Sequence, residues 1–255
     1  MIRDALGRAL SLEHLPRRVV SLVPSLTETL FALGAGDTVA GITDYCIFPP
    51  DLDLPRLGGT KNPRVAAVRE LGPDLVHMNL EENLQRHADE IGKFAPLFVS
   101  EPKTVRDVAG LITTLGQIHQ RQDQAAAMLL ELHAALAVAA TNAFTFACPI
   151  WKDPWMWCGG DTYVSSLVEA AGGRNVLAGR TRYPTVSPED VTALDPDILF
   201  LPDEPYAFTG KQARELEQMM GCRVVGPFPG HLFTWHGSRT ILGLRFLAET
   251  LRGAV

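Results

Sequence analysis

The strongest constraint on the fold is a repeat interrupted by one long helical pattern. From Arg121 onward, Ala125, Met128, Leu129, Leu132, Leu136 and Ala139 recur at helical spacing. No Gly or Pro breaks the pattern for about 20 residues, enough for a helix of about 30 Å at 1.5 Å per residue. Similar segments lie on either side of it. Gly34-Ala35-Gly36-Asp37-Thr38-Val39-Ala40-Gly41 resembles Gly172-Gly173-Arg174-Asn175-Val176-Leu177-Ala178-Gly179. Asn62-Pro63, leading to Leu71-Gly72-Pro73-Asp74-Leu75, resembles Ser187-Pro188, leading to Leu194-Asp195-Pro196-Asp197-Ile198. A long helix alone could simply cover a sheet. Two matches in the same order around it point to two lobes and a rigid connector. The expected divisions are an N-terminal lobe over 1–103, connecting helices over 104–142, and a C-terminal lobe over 143–255.

Each lobe reads as α/β. Apolar, β-branched runs at 19–23, 39–45, 75–78 and 97–99 predict strands. Helical patterns lie between them. Ser25-Leu26-Thr27-Glu28 predicts a capping box and a helix running to about Gly34. Asn62 followed by Pro63 predicts a cap with Pro at the first helical position. Val105, Val108, Leu111, Ile112 and Leu115 predict a further helix. The alternation restarts at Phe144. Strands alternating with helices imply parallel sheets covered on both faces.

Composition narrows the function. Of 255 residues, 46% are apolar and the formal net charge is −6, so a disordered chain is excluded and a general nucleic-acid binder disfavoured. No apolar run approaches the roughly 20 residues that span a bilayer. The first residues, Met1-Ile2-Arg3-Asp4-Ala5-Leu6-Gly7-Arg8, show no apolar signal-peptide core. The expectation is a cytosolic chain, or one whose leader has been removed.

Several motifs carry less than they suggest. Gly34-Ala35-Gly36 follows a helix and precedes a strand, the reverse of a dinucleotide loop, and reads as a helix end. There is no P-loop, nucleophile elbow or His-Glu-x-x-His sequence. The histidines are dispersed, and His77, mid-strand, reads as a satisfied core residue. Neither a catalytic constellation nor a metal site built by the protein is expected. Cys46, Cys148, Cys158 and Cys222 lie too far apart in sequence for a zinc pair. They fit buried small hydrophobes, and a disulfide stays open because pairing is not readable from sequence.

The aromatics, by contrast, are concentrated. All four Trp follow residue 150, and Trp151, Trp155 and Trp157 fall within seven residues. Trp155 and Trp157 share a side if the chain is extended. Tyr45, Tyr183, Tyr206, Phe208 and Trp235 also sit in loop-like or Pro-bordered contexts. Some of these are core residues, since Trp and Tyr are commonly half buried. As a set they predict a cleft with flat apolar walls beyond the C-terminal ends of the strands, with Lys61, Lys152 and Arg239 as polar anchors.

Taken in order, the motifs resemble a known family. Arg18-Val19-Val20-Ser21-Leu22-Val23-Pro24-Ser25-Leu26-Thr27-Glu28, then Gly34, Tyr45, Pro49-Pro50 and Pro73-Asp74-Leu75-Val76 are similar to the first lobe of the helical-backbone substrate-binding proteins of ABC importers. Arg182-Tyr183-Pro184-Thr185-Val186-Ser187 and Trp235-His236-Gly237-Ser238-Arg239 resemble the second lobe, and Asp4-Ala5-Leu6-Gly7-Arg8 an N-terminal hairpin. The similarity is greatest to the cobalamin-binding branch. It implies two Rossmann-like lobes joined by one backbone helix, with cobalamin, haem or a ferric siderophore carried between them as cargo and no cofactor of the protein's own. It implies a monomer outside the cytoplasm that binds without chemistry. Trp151, Trp155, Trp157 and Trp235 would wall a large flat ligand, joined by Phe208. Tyr45, Tyr183 and Tyr206 would add apolar contact and a hydroxyl. Lys61, His236 and Arg239 would anchor polar groups, with His236 able to ligate a cofactor's metal. The family docks on its permease through a glutamate on each lobe. Glu189 matches the second-lobe position, seven residues before Pro196, while the first-lobe position holds Ala66, with Glu70 one turn on. A cytosolic corrinoid-handling enzyme or a sensor on the same scaffold is the alternative.

Overall fold

The computed structural model describes residues 2–139 and 143–252. They form two compact units: residues 2–102 with 108–130, and residues 103–107 with 131–252.

The first unit is a four-stranded parallel sheet of β1 (Val19–Ser21), β2 (Val39–Ile42), β3 (Leu75–Asn79) and β4 (Leu97–Ser100). Their order is β2-β1-β3-β4. Helices α1 (Pro24–Ala32), α2 (Val65–Glu70) and α3 (Gln85–Ile91) connect them in turn. β3 is buried along its whole length, as a central parallel strand requires. One core cluster packs Val20, Leu22, Val68, Val76, Met78 and Ile91 between the sheet and its helices.

Two helix starts differ from the sequence reading. α1 begins at Pro24 with Val23 as an uncapped N-cap, so Ser25 and Glu28 lie inside the helix. Pro24 sets the start because its fixed φ suits a first helical position and its missing N–H has no partner to lose there. α2 begins at Val65 behind Arg64, without a side-chain cap. Asn62 and Pro63 stay outside, because Gly58 bridges Pro63 and the Arg64 amide donates to the Leu57 carbonyl at 2.7 Å.

α4 (Val105–Ile118) and α5 (Gln122–Ala139) follow. α5, at 18 residues, extends about 27 Å. Residues on either side of Leu130 within α5 belong to different units.

The second unit repeats the first. Its strands β5 (Phe144–Ala147), β8 (Gly173–Asn175), β9 (Ile198–Pro202) and β10 (Arg223–Phe228) are parallel, in the order β10-β9-β5-β8. Numbered within its own unit, each sheet reads 2-1-3-4. Helices α6 (Tyr163–Ala170), α7 (Pro188–Thr192) and α8 (Gly210–Met220) take the places of α1, α2 and α3. α9 (His231–Thr234) and α10 (Arg239–Arg252) close the unit. α7 starts as expected, with the Ser187 hydroxyl accepting from the Asp190 amide and Pro188 at the first position. Gly34 and Gly172 sit just past α1 and α6 with φ of 71° and 97°, a conformation only glycine adopts without strain.

The repeated Pro-Asp pair has one job in both units. The Asp74 carboxylate accepts the Arg17 and Arg18 amides at 2.7 and 3.0 Å, fixing the entry to β1. The Asp197 carboxylate accepts the Thr145 amide and hydroxyl at 2.6 and 2.8 Å, fixing β5. An acid just before one strand thus aligns its neighbour. The bond from the Thr145 amide, then that from its hydroxyl, holds the Asp197 carboxyl below the usual range.

One insertion sets the second unit apart. β1 runs almost directly into α1, whereas between β5 and α6 the chain makes an antiparallel hairpin of β6 (Pro149–Trp151) and β7 (Met156–Trp157).

Candidate functional site

The four parallel strands of the second unit end on one edge of their sheet, and the segments leaving that edge carry the aromatics. β5 leads to the β6–β7 hairpin, β8 to the stretch containing Tyr183, β9 to the loop of Tyr206 and Phe208, and β10 to Trp235, His236 and Arg239. This edge is where open parallel sheets bind ligands, because no continuing strand blocks it.

The hairpin and the β9 loop build one aromatic wall. Trp155 stacks on Phe208 with centroids 5.8 Å apart and planes 13° off parallel, and on Trp157 at 5.9 Å and 25°. The stacking of Trp155 on Trp157 follows from the two-residue period of extended chain. Trp151, 41% exposed, meets Tyr206 edge-on at 5.5 Å. Tyr206 leans on Phe208 at 4.7 Å. The sequence expectation is corrected for two of these residues. Trp157 is 0% exposed, with its indole N–H donating to the Val186 carbonyl at 2.9 Å, and Phe208 is buried in the same cluster. They support the wall from behind, because the apolar cluster under β9 takes the two rings nearest the sheet. The accessible faces are those of Trp151, Trp155 and Tyr206. The Lys152 ammonium stands 5.8 Å from the Trp155 ring centroid. A groove of about 560 Å³ runs from Lys152 and Trp155 past Val186 and Glu189 to Leu216 and Met219.

A second cluster follows β10. Trp235 packs edge-on against His231 at 5.8 Å, with the Arg239 guanidinium 5.8 Å from its ring centroid. His236 and Arg239 are both buried. Burial pulls the His236 imidazole down to about 4, so it is neutral at pH 7. Its neighbour Tyr163, edge-on at 6.2 Å, was not singled out by sequence. Tyr163 opens α6 with its hydroxyl 2.7 Å from that of Thr240. Its place at a helix start after Gly159-Gly160 was the only signal. Two acids from the β9 loop fasten this segment. Asp203 accepts the Gly230 amide at 2.7 Å and Glu204 accepts the Thr234 hydroxyl at 2.6 Å. Tyr183 is half-buried, with the Arg182 guanidinium 5.6 Å from its ring centroid.

In the first unit Tyr45 is 62% exposed in the loop after β2, and a Cβ at Gly59 would stand 3.2 Å from its ring. Lys61 is exposed, its ammonium donating to the Glu81 carbonyl. His77 is buried, but only partly satisfied. Its Nε2 lies 2.9 Å from Nε2 of His119, one ring donating and the other accepting, while Nδ1 of both rings has no partner. Burial lowers both imidazoles, His119 to about 4, and each is held neutral.

Glu189 is exposed in the first turn of α7. Ala66 and Glu70 are exposed on α2, which takes the equivalent place in the first unit. Among the described residues no group of three or more His, Cys, Asp or Glu could hold a metal ion. No described helix is long and apolar enough to cross a membrane.

A family model described as periplasmic binding protein matches residues 19–226. The chain belongs to this family. It is 25% identical over 272 aligned positions to the ABC transporter substrate-binding lipoprotein YvrC of Bacillus subtilis, an alignment covering 98% of this chain and 84% of that protein. It is 28% identical to the vitamin B12-binding protein of Photorhabdus laumondii, over 75% of this chain and 72% of the relative. Among solved structures it is similar to the periplasmic heme-binding protein RhuT from Roseiflexus sp. RS-1, with a TM-score of 0.76 and 26% identity, over 93% of this chain and 98% of the other. The two α/β lobes expected from the sequence are those of this family.

Proposed function

We propose that this protein captures a corrinoid, cobalamin-like, or another metal chelate and presents it to an ABC importer, without chemistry on the ligand. The observation that carries this reading is the row of aromatic faces along the C-terminal edge of the second unit's sheet. Trp151, Trp155 and Tyr206 present flat apolar surface suited to a macrocycle or an aromatic chelate. Lys152 and Arg239 supply cationic anchors for carboxylate, phosphate or amide groups, and neutral His236 supplies a lone pair for the ligand's metal. Trp235 and Tyr183 extend the apolar contact. The vitamin B12- and heme-binding relatives have cargo of this chemistry. The protein works as a monomer outside the cytoplasm. Glu189, exposed on a short helix, docks on a permease arginine.

Titrating cobalamin, haemin and a panel of ferric siderophores while following tryptophan fluorescence tests the reading. At least one is expected to give a saturable change, weakened roughly tenfold, about 1.4 kcal/mol, by Trp155→Ala. A folded chain that responds to none of them overturns it. Glu189→Lys is expected to leave the titration unchanged and to abolish transport by the reconstituted importer.

A further inference from the structure

Cys148 and Cys158 bracket the hairpin that the second unit has and the first lacks. Pro149 faces Trp157 across the antiparallel pair, so one step outward Cys148 faces Cys158. The Cys158 amide donates to the Cys148 carbonyl at 2.9 Å. Side chains directly opposite one another on such a pair leave from the same face. Their Cα atoms lie about 5.5 Å apart, within the span of a disulfide. Both side chains are buried and both sulfurs are thiols, that of Cys148 donating to the Pro149 carbonyl at 3.9 Å.

We propose that Cys148 and Cys158 are an oxidative modification site, an intrachain disulfide that closes the base of the hairpin bearing Trp151, Trp155 and Trp157. The reagent is an external disulfide, either a small molecule such as oxidised glutathione or the active site of a dithiol oxidase. One cysteine thiolate attacks it, forming a mixed disulfide and expelling one thiolate. The second cysteine thiolate attacks the mixed disulfide at the sulfur of the first and expels the other. Two cysteine sulfurs are oxidised, the external disulfide is reduced to two thiols, and the two cysteine protons end on the expelled sulfurs.

The timing follows from the surroundings. The hydrogen bond from Cys158, and then burial, push the Cys148 thiol up, so little thiolate exists once the chain has folded. Neither sulfur is reachable from solvent in that state. Exchange therefore occurs while the chain folds, and the redox state reached then persists. Cys46 is not an alternative partner of the same kind, since its thiol is held between the Thr27 and Thr43 hydroxyls at 3.2 Å each. The site does not depend on what the aromatic wall binds.

The test is to refold the full chain from denaturant in a buffer of oxidised and reduced glutathione, block free thiols, and map the peptides by mass. The expected product has lost the mass of two hydrogen atoms, with the bond between Cys148 and Cys158 and with Cys46 and Cys222 alkylated. Four alkylated cysteines, or a bond to Cys46 or Cys222, would overturn the proposal. The urea midpoint of the oxidised chain should lie above that of the same chain refolded with excess reductant. The Cys148→Ala, Cys158→Ala double variant should have one midpoint in both buffers. An oxidised chain whose midpoint equals that of the reduced chain also overturns the staple.

Discussion

The two units share a sheet order, a helix order and a Pro-Asp device, yet they use the same sheet edge differently. In the first, β1 passes almost at once into α1, and the core beneath holds a polar pair, His77 and His119. In the second, a hairpin is inserted between β5 and α6, and the edge is lined with Trp and Tyr. The repeat supplies a scaffold twice over, and the insertion supplies a surface once. Function is carried by what is added to a scaffold, not by the scaffold itself.

Removing the ring that ties the hairpin to its core should have the largest effect. Trp157→Ala deletes a fully buried side chain and leaves the Val186 carbonyl without its donor. The expected loss is about 3–5 kcal/mol, read from the urea midpoint. It should fall on the second unit, with hydrogen exchange in β3 of the first unchanged.

Acid should break the comparison in the opposite direction. His77, His119 and His236 have lowered affinity for protons in the folded state. The unfolded chain binds protons at an ordinary histidine value near 6.5, so between there and about 4 it holds more protons than the folded chain. Stability is therefore full above about pH 6.5 and falls as pH drops, by about 1.4 kcal/mol per pH unit for each such histidine. The first unit carries two of the three and should open first on acidification. His119→Gln should flatten the slope of midpoint against pH between 6 and 5. The neighbouring charges Asp74 and Arg121, which pull His119 in opposite directions, are both retained in that variant.

The equivalence of the two Pro-Asp devices is tested by Asp74→Ala and Asp197→Ala. Each leaves strand-entry donors without their acceptor at a solvent-accessible site, and each should cost about 1 kcal/mol. A pair of losses differing by several-fold would mean that the sequence match hides different roles.

The smallest stability effects should come from the residues nearest to function. Trp151→Ala and Tyr45→Ala remove exposed rings and should change stability by no more than about 0.5 kcal/mol. Trp151→Ala should nonetheless weaken the ligand titration, separating surface from scaffold within the hairpin.

Much of this was readable in the chain. The repeat around residues 121–139 predicts two lobes, Ser187-Pro188 predicts the start of α7, and the clustering of Trp151, Trp155 and Trp157 predicts an aromatic surface. These are local signals, set by spacing, by Pro geometry and by a two-residue period. Where local signals competed, sequence alone chose wrongly. Ser25 and Glu28 satisfy a capping pattern, but Pro24 starts the helix before them. Asn62 and Pro63 imitate a helix start, but the Asn62 amide donates to the Gly59 carbonyl and the Arg64 amide to the Leu57 carbonyl, holding this stretch in a loop.

What sequence by itself determined was therefore which elements exist, in what order, and that the second half carries an aromatic surface. Tertiary structure alone decided which rings face solvent and which lie beneath, since Trp151 and Trp157 are alike in sequence and differ only in their distance from the cluster under β9. It alone brought His77 to His119 across 42 positions and Cys148 opposite Cys158. Burial and pairing depend on what the rest of the chain packs around a residue, and that information is not held within the residue's own neighbourhood.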